Sequence, residues 1–467
     1  MSAGAMNAAA MPRVVVVGAG PAGIRAAETL VAGGLTPIVI DEGERAGGQI
    51  YRRPPQGFTR PPEALYGSEA AKAVALHRSF DAMVAAGRVV HHSRSSVVAI
   101  ADGRLQLLDG AGSRWVSHDR LILATGAMDR VLPVPGWENA GVYGLGAMQI
   151  ALKAQGAALG RRIVLAGSGP LLTLLAVQLL KAGGQVAAVL DTAPMRQQLR
   201  GFSGLAARPL FALRGLAMRR RLGGLYHAGV RLDRIEADAR GPVAMLWRDG
   251  AGRSRRTVCD AVGLGWHLRA ETRLADLAGC DFAYDETWRQ WLPQADAMGR
   301  AGRGVYLAGD GLRILGADGA EVAGRLAAAA CLQDLGLETP DVTAEKRRLA
   351  RFDRFARGVA QAFPWPAETA AGLPDETVIC RCEGVTAGEL RRTVDFGGGE
   401  VNRAKSLGRA GMGRCQGRYC ELAAAEIVAG RAGHACAAGA GRLRGQAPVR
   451  PAPIVALLQD ETVRVSD

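Results

Sequence analysis

The sequence predicts an α/β protein with two doubly wound nucleotide-type units, the first of them split in the chain, followed by a small helical module that carries cysteines. Three observations predict it. Glycine-rich turns stand between a short β-branched run and an apolar helical stretch at two places, Gly18–Gly23 and Gly167–Pro170. A third strand-like run, Gly304–Ala308, ends in Gly309-Asp310 far downstream of the second unit. Four of the eight cysteines gather between Cys380 and Cys420. The 467 residues give room for about three domains. With 48% apolar and 22% charged residues, the make-up is that of a folded chain rather than a disordered, collagen-like or membrane one.

Taken in order, Met1–Pro12 lacks a charged leader region, so no secretory signal is expected and the start reads as cytoplasmic. Arg13–Val17 is a β-branched strand, the turn from Gly18 opens a helix to Ala32, and Pro37–Ile40 is the second strand. Arg52–Pro62 is a Pro/Arg-rich loop, Glu69–Ala86 is helical, and Leu121–Thr125 is a strand ending at Gly126. The plan returns with strand Arg162–Leu165, a glycine turn, a helix to Lys181 and strand Gln185–Leu190. After Gly309-Asp310-Gly311 comes an alanine-rich helix, Ala320–Leu332, beginning near Gly319. Phe363-Pro364-Trp365-Pro366 breaks any helix and marks a linker. The expected boundaries are 11–155 and 271–345 for the first unit and 156–270 for the second. A linker over 346–374, the cysteine module over 375–435 and a tail over 436–467, lying across a surface or a partner, complete the chain. Ile163–Ala182 has membrane-like hydropathy but contains two glycines, Pro170, Gln178 and Lys181, so no transmembrane helix is expected.

The net charge of +14 comes almost wholly from arginine, since only five of the 58 basic residues are lysines. Those arginines are scattered and not interleaved with aromatics that could stack on bases, which argues against nucleic acid. They suit a solvated surface, anionic cofactors or an acidic partner subunit.

In Gly18-Ala19-Gly20-Pro21-Ala22-Gly23 each glycine has a task. Gly18 permits the tight turn, Gly20 lets backbone amides approach a pyrophosphate, and Gly23 lets helix and strand pack closely, while Pro21 and Ala22 belong to the same turn. Asp41, with Glu42 beside it, stands where a ribose would be hydrogen-bonded. In the second unit Gly167, Gly169 and Asp191 stand in matching places, but Leu172 occupies the third glycine position. Its side chain is expected to crowd the helix against the strand or the pyrophosphate, which disfavours NAD(P) there. No C-x-x-C accompanies a flavin-type site; Cys259, Cys280 and Cys331 stand alone as small buried hydrophobes, so dithiol chemistry is excluded. No catalytic acid or base is nominated, and His91-His92 are read as strand or surface residues.

Cys380-Arg381-Cys382 is followed after 32 residues by Cys415 and, after four more, by Cys420. Thr386 and Glu389 form a capping-box pattern, and a helix over Glu421–Ala429 would direct its N-terminus at an anionic group. Gly411, Gly413 and Gly417 let the loop turn amides towards sulfur. The four thiolates suit a [2Fe–2S] centre; a zinc site is the alternative, although zinc more usually takes C-x-x-C pairs. Cys436 is a spare.

Gly18–Gly23, Asp41, Gly47-Gly48-Gln49, Ala124-Thr125-Gly126 and Gly309-Asp310 resemble the flavoproteins with two dinucleotide-binding domains, over residues 13 to about 340. The resemblance implies two Rossmann-like domains with FAD in the first, and gives Gly48, Gln49, Thr125, Gly126, Gly309 and Asp310 cofactor-binding places. Asp310 falls at the ribityl or pyrophosphate region, with plain turn capping as its other reading. The cysteine module resembles the bacterioferritin-associated-ferredoxin (BFD) type of [2Fe–2S] domain. The combination, with Gly47–Arg52, closely resembles the large α subunit of heteromeric dye-linked amine dehydrogenases, among them opine oxidase, D-hydroxyproline dehydrogenase and hydrogen cyanide synthase. That resemblance implies a β subunit similar to D-amino-acid oxidases that oxidises the C–N bond of an amine, opine or imino acid on its own FAD. A small ferredoxin-like subunit and FMN at a subunit interface are further options under that resemblance, and membrane association through partners stays open. Two other readings stay open. One is an NAD(P)H-dependent reductase running electrons the other way, against which Leu172 speaks; the other is a redox sensor or assembly scaffold.

Overall fold

The computed structural model describes residues 11–55, 57–58 and 60–458; all but the last two residues of the Met1–Pro12 leader reading lie outside them. Four consecutive valines, Val14–Val17, form a buried central strand, as β-branched side chains do in a sheet covered on both faces. This strand pairs in parallel with Ile38–Ile40 on one side and Arg120–Leu123 on the other. Val90–His92 and Val305–Leu307 extend the sheet in parallel, and Arg300–Gly302 closes one edge antiparallel. The first unit is therefore completed by a strand from beyond the second.

The helices Pro21–Ala32 and Gly316–Asp334 pack against each other beside this sheet. Their approach is close: a side chain on Gly324 would overlap the Ala22 carbonyl. The second helix begins at Gly316 rather than near Gly319. Asp310 Oδ1 accepts the N–H groups of Leu315 at 2.7 Å and Gly316 at 3.0 Å and so supports an earlier start.

The second sheet has five parallel strands, in the order Tyr226–Ala228, Gln185–Asp191, Arg162–Ser168, Ala261–Trp266 and Val142–Gly144. Residues 142–144 thus join the second unit, although the sequence places them in the first. A three-residue strand carries too little alternation to be read. The chain crosses between units as a pair of antiparallel strands, Ala127–Asp129 out and Leu268–Ala270 back. A three-stranded antiparallel meander is attached to each unit.

The expected linker over 346–374 is largely a helix, Thr343–Ala362. Phe352, Phe355, Ala356, Val359 and Ala360 recur at helical spacing and are buried, while the many intervening arginines hide that stripe from a composition-based reading. The helix packs on Gly316–Asp334 and on the short helix Phe202–Leu205. Only at Pro364 and Pro366 does the helix stop, and even there Trp365 is buried.

The cysteine module consists of the hairpin Val378–Cys380 with Val385–Thr386 and three helices, Ala387–Asp395, Val401–Gly408 and Glu421–Ala432. The capping box of Thr386 and Glu389 is formed in both directions. The tail contributes to a core, rather than only lying over a surface or a partner. Val449 is buried beside Val15, Val17 and Ile40 of the first unit, and its N–H donates to the Val98 carbonyl at 2.9 Å. Residues 459–467 of the tail lie outside the described residues. Among the described residues no helix is long and apolar enough to cross a membrane.

Candidate cofactor and cluster sites

The first glycine turn is assembled by close contact. Gly18 has φ +106, and a side chain on it would overlap the Ala124 carbonyl; one on Gly23 would overlap the Gly18 carbonyl. Gly20 is the N-cap of the helix that Pro21 begins. The first-turn amides of that helix have no partner within it, which leaves them for an anion. Four segments meet here. A Cβ on Gly48 would lie 2.8 Å from the Gly20 Cα, one on Gly309 2.9 Å from the Ala22 Cβ, and one on Gly311 2.5 Å from Thr125 Oγ1. Asp41 accepts from Ala19 N at 2.5 Å and Gly43 N at 2.6 Å, which ties the turn to the end of the second strand. It remains partly exposed, and each oxygen keeps a second lone pair for a hydroxyl. Glu42 is instead held by Arg450 of the tail in a bidentate pair at 2.7 Å. Gln49 is exposed, its side-chain oxygen accepting from Arg52.

On the far side, Thr125 Oγ1 donates to the Glu271 carbonyl at 2.7 Å, and Glu271 N donates to the Gly126 carbonyl at 3.0 Å. A side chain on Gly126 would meet nothing within 4 Å, so open space lies against this turn. Asp310 reaches into the same region. Its Oδ1 caps the helix and its Oδ2 takes no hydrogen bond among the described residues; burial pushes its carboxyl up to about 6. Glycine amides at a helix N-terminus, an open turn and a carboxyl oxygen with spare acceptor capacity fit FAD. Bound there, FAD supplies electron-transfer chemistry, and these residues would hold its pyrophosphate, ribose and ribityl groups.

The second turn is arranged differently. Gly167 faces the Gly265 carbonyl, and a Cβ on Gly169 would lie 3.3 Å from the His267 Cα. His267 N donates to the Ser168 carbonyl at 2.8 Å, so the returning strand occupies the mouth of the turn. Asp191 is 1% exposed; it accepts from Ser168 Oγ at 2.8 Å, Ala193 N at 2.9 Å and the Tyr226 hydroxyl at 2.6 Å. Its carboxylate is used inside the protein, and burial raises its pKa. Leu172, at the third glycine position, packs inward between helix and strand. It is fully buried in the apolar cluster of Leu145, Met148, Leu165 and Leu175.

All four predicted cysteines come together. The thiols of Cys380 and Cys420 lie within hydrogen-bond reach of each other, and so do those of Cys382 and Cys415. The amides of Gly411, Glu383 and Cys382 are directed at the Cys380 sulfur and that of Cys415 at Cys382. Cys420 first, and these amides after it, hold the Cys380 thiol down at about 6 against the effect of burial. Gly413 permits the approach, since a side chain there would overlap the Cys382 Cβ. The sulfurs form two pairs. Two thiolates per iron is what a [2Fe–2S] centre takes, so the donor set fits the two-iron centre. Cys259, Cys280 and Cys331 are buried and apart, as expected.

Sequence reasoning missed the charged side chains around the module. Arg418, between two of the cysteines, donates from Nε to Glu271 at 2.7 Å and from NH1 to the Cys415 carbonyl at 3.3 Å. Glu421, directly after Cys420, accepts from Arg269 at 2.8 Å and Arg273 at 3.1 Å. The only signal available was their position inside the cysteine motif, because their partners lie some 150 residues earlier.

Fold and sites together define a flavoprotein of the pyridine nucleotide-disulphide oxidoreductase type joined to a BFD-like [2Fe–2S] binding domain; the models of those two families match residues 12–203 and 378–430. The chain is 36% identical to the A subunit of opine oxidase from Agrobacterium tumefaciens (strain Ach5) over 463 residues, 95% of this chain and 91% of that protein. It is 32% identical to the HcnB subunit of hydrogen cyanide synthase from Pseudomonas aeruginosa, over 87% and 90% of the two chains. The crystal structure of L-proline dehydrogenase from P. horikoshii has the same fold, with a TM-score of 0.69 at 18% identity, over 96% of this chain and 79% of that one. The chain belongs to the family of the opine oxidase A subunit and HcnB. It is an oxidoreductase whose cofactors are FAD and a [2Fe–2S] cluster.

Proposed function

We propose that this chain is the electron-transfer subunit of a multi-subunit dehydrogenase, in which an amine, opine or imino acid is oxidised at its C–N bond on the FAD of a partner subunit. Electrons then pass through the FAD held here to the [2Fe–2S] centre. The observation that carries this reading is the short run of contacts from the flavin-side turn to the cluster module, Thr125 to Glu271 to Arg418 to Cys415. Two redox sites held in one rigid frame suit a relay. The protein's own part is to hold phosphate, ribose and ribityl groups and four thiolates, with no acid or base assigned to substrate chemistry. Relatives named as subunits support a complex.

The partner is best sought as a β subunit similar to D-amino-acid oxidases, with a small ferredoxin-like subunit and interfacial FMN as further members. The helical stretch 195–222 supports a docking face. Met195, Leu199, Phe202, Leu210, Leu213 and Leu216 are all exposed there, beside exposed Arg214, Arg220 and Arg221. Such an apolar patch with a basic rim suits a protein interface of complementary charge.

The reductase reading is disfavoured by Asp191, whose oxygens serve Ser168, Ala193 and Tyr226 rather than a ribose. The test is anaerobic purification with co-purifying chains, followed by iron, sulfide and flavin analysis. About two irons and two sulfides per chain, with flavin bleached by the amine and not by NADH, are expected. Bleaching by NADH alone would overturn the relay in favour of the reductase. Absence of turnover with any amine and any partner would favour a sensor or scaffold.

A further inference from the structure

Arg130, which with Arg289 faces Glu426, is buried beside Arg269, and four more cations are buried where the cysteine module meets the crossover strands: Arg269, Arg273, Arg418 and Lys405. Among the described residues two carboxylates make ion pairs with these four. Glu421 takes Arg269 and Arg273, and Glu271 takes Arg418 at 2.7 Å and the Arg273 amide at 3.2 Å. Lys405 donates to the neutral Gln446 side chain at 3.1 Å and has no carboxylate partner among the described residues. Of the neighbouring acids, Asp276 is matched by Arg442, Glu383 by Arg409, Glu42 by Arg450 and Glu426 by Arg289, while Asp129 accepts the Gly146 amide.

An excess of positive side chains is thus left in a low-dielectric interior, which is unfavourable unless an anion stands beside it. The group beside it is the cysteine set. Arg418 lies within the Cys415–Cys420 loop and binds the Cys415 carbonyl, Glu421 follows Cys420, and Lys405 lies near enough to Cys420 and Glu421 for both to favour its charge. Four thiolates around two ferric ions and two sulfides carry a charge of −2, and uptake of one electron makes it −3 with no atom exchanged.

We propose that Lys405 and the Arg269–Arg273–Arg418 group are the counter-charge of the reduced [2Fe–2S] centre and raise its reduction potential, so that the cluster draws single electrons from reduced flavin. This rests on the [2Fe–2S] reading of the module. These residues bind no substrate and transfer no proton; they act through the field at the cluster.

Lys405 is the informative position, because removing its charge strands no carboxylate. Holoprotein of wild type, Lys405→Met and Lys405→Arg is titrated with redox mediators while the cluster's EPR signal is followed, and iron and sulfide are counted on the same samples. Lys405→Met is expected to keep its iron and sulfide and to lower the reduced-to-oxidised ratio at a fixed poise about tenfold, a shift of about 59 mV for a one-electron centre. Lys405→Arg is expected to retain the wild-type potential. A fully loaded Lys405→Met protein with an unchanged potential overturns the proposal. If Lys405→Met fails to load its cluster, Arg418→Gln is titrated in the same way, and an unchanged potential in that loaded variant overturns it equally. Wild-type protein holding zinc and no sulfide would instead overturn the cluster reading beneath it.

Discussion

Gly20→Ala separates the folding role of the first glycine turn from its binding role. Gly20 has φ −80, which alanine adopts freely, and a Cβ there would touch only the Gly48 Cα, at an ordinary 3.6 Å. Alanine in place of glycine at an N-cap costs up to about 1 kcal/mol. The stiffer unfolded chain offsets this by about 0.4–1 kcal/mol. The apoprotein should therefore keep its stability to within about 1 kcal/mol. The methyl reaches about 1.5 Å into the space before the helix's open amides. One hydrogen bond to a charged phosphate, worth about 1.5–3 kcal/mol, would be lost, so FAD should bind roughly ten- to a hundredfold more weakly. Gly23→Ala is the contrasting case. Its methyl overlaps the Gly18 carbonyl oxygen, so the helix must move off the strand, and stability and flavin should fall together. Urea unfolding of each apoprotein and fluorescence titration with FAD read the two effects separately. Gly20→Ala protein that is folded and binds FAD within twofold of wild type would refute the placing of the pyrophosphate at this turn.

Cys382→Ser should abolish the cluster's visible absorbance and leave flavin bound; loss of both from a folded protein would contradict the independence of the two sites. The double change Leu213→Glu with Leu216→Glu should release the co-purifying subunit while flavin and iron content hold, and a complex that survives it on a sizing column would move the interface elsewhere. Burial raises the Asp310 carboxyl to about 6, from about 4 in an unfolded chain. Ionising it therefore weakens the fold, with the penalty absent below pH 4 and fully present above pH 6. Asp310→Asn should make the apoprotein more stable than wild type above pH 6, the two converging as the pH falls to 4. Urea midpoints that stay parallel across that range would show that Asp310 is not so buried.

What was legible in the sequence was legible because it is local. A glycine turn between a valine run and a helix, or cysteines two and five positions apart, are contained in a short window, and the structure assembles them. The helix Thr343–Ala362 was missed although it is also local, because its apolar stripe is diluted by arginines and it was judged on composition rather than on period. Val142–Gly144 was misplaced because three residues carry no pattern, and its sheet is decided by Ala261–Trp266, over a hundred residues later. The partnership of Glu271 with Arg418 is of the second kind. Neither residue differs from dozens of other charged side chains until the fold brings them together.

The two glycine turns put the strongest pressure on motif reading. Both have a glycine at the end of a strand, a proline opening the helix and an aspartate at the end of the next strand. In the second, packing alone accounts for each. Gly167 makes room for the Gly265 carbonyl, Gly169 for His267, and Asp191 gathers Ser168, Ala193 and Tyr226 into a buried node. In the first, packing accounts for Gly18 and Gly23, while Gly20 and Asp310 Oδ2 keep space and acceptor capacity that the protein itself does not use. A motif's glycines and acid therefore identify a fold, and unused capacity identifies a site. By that measure the first turn keeps capacity for a dinucleotide, while among the described residues the glycines and acid of the second serve packing.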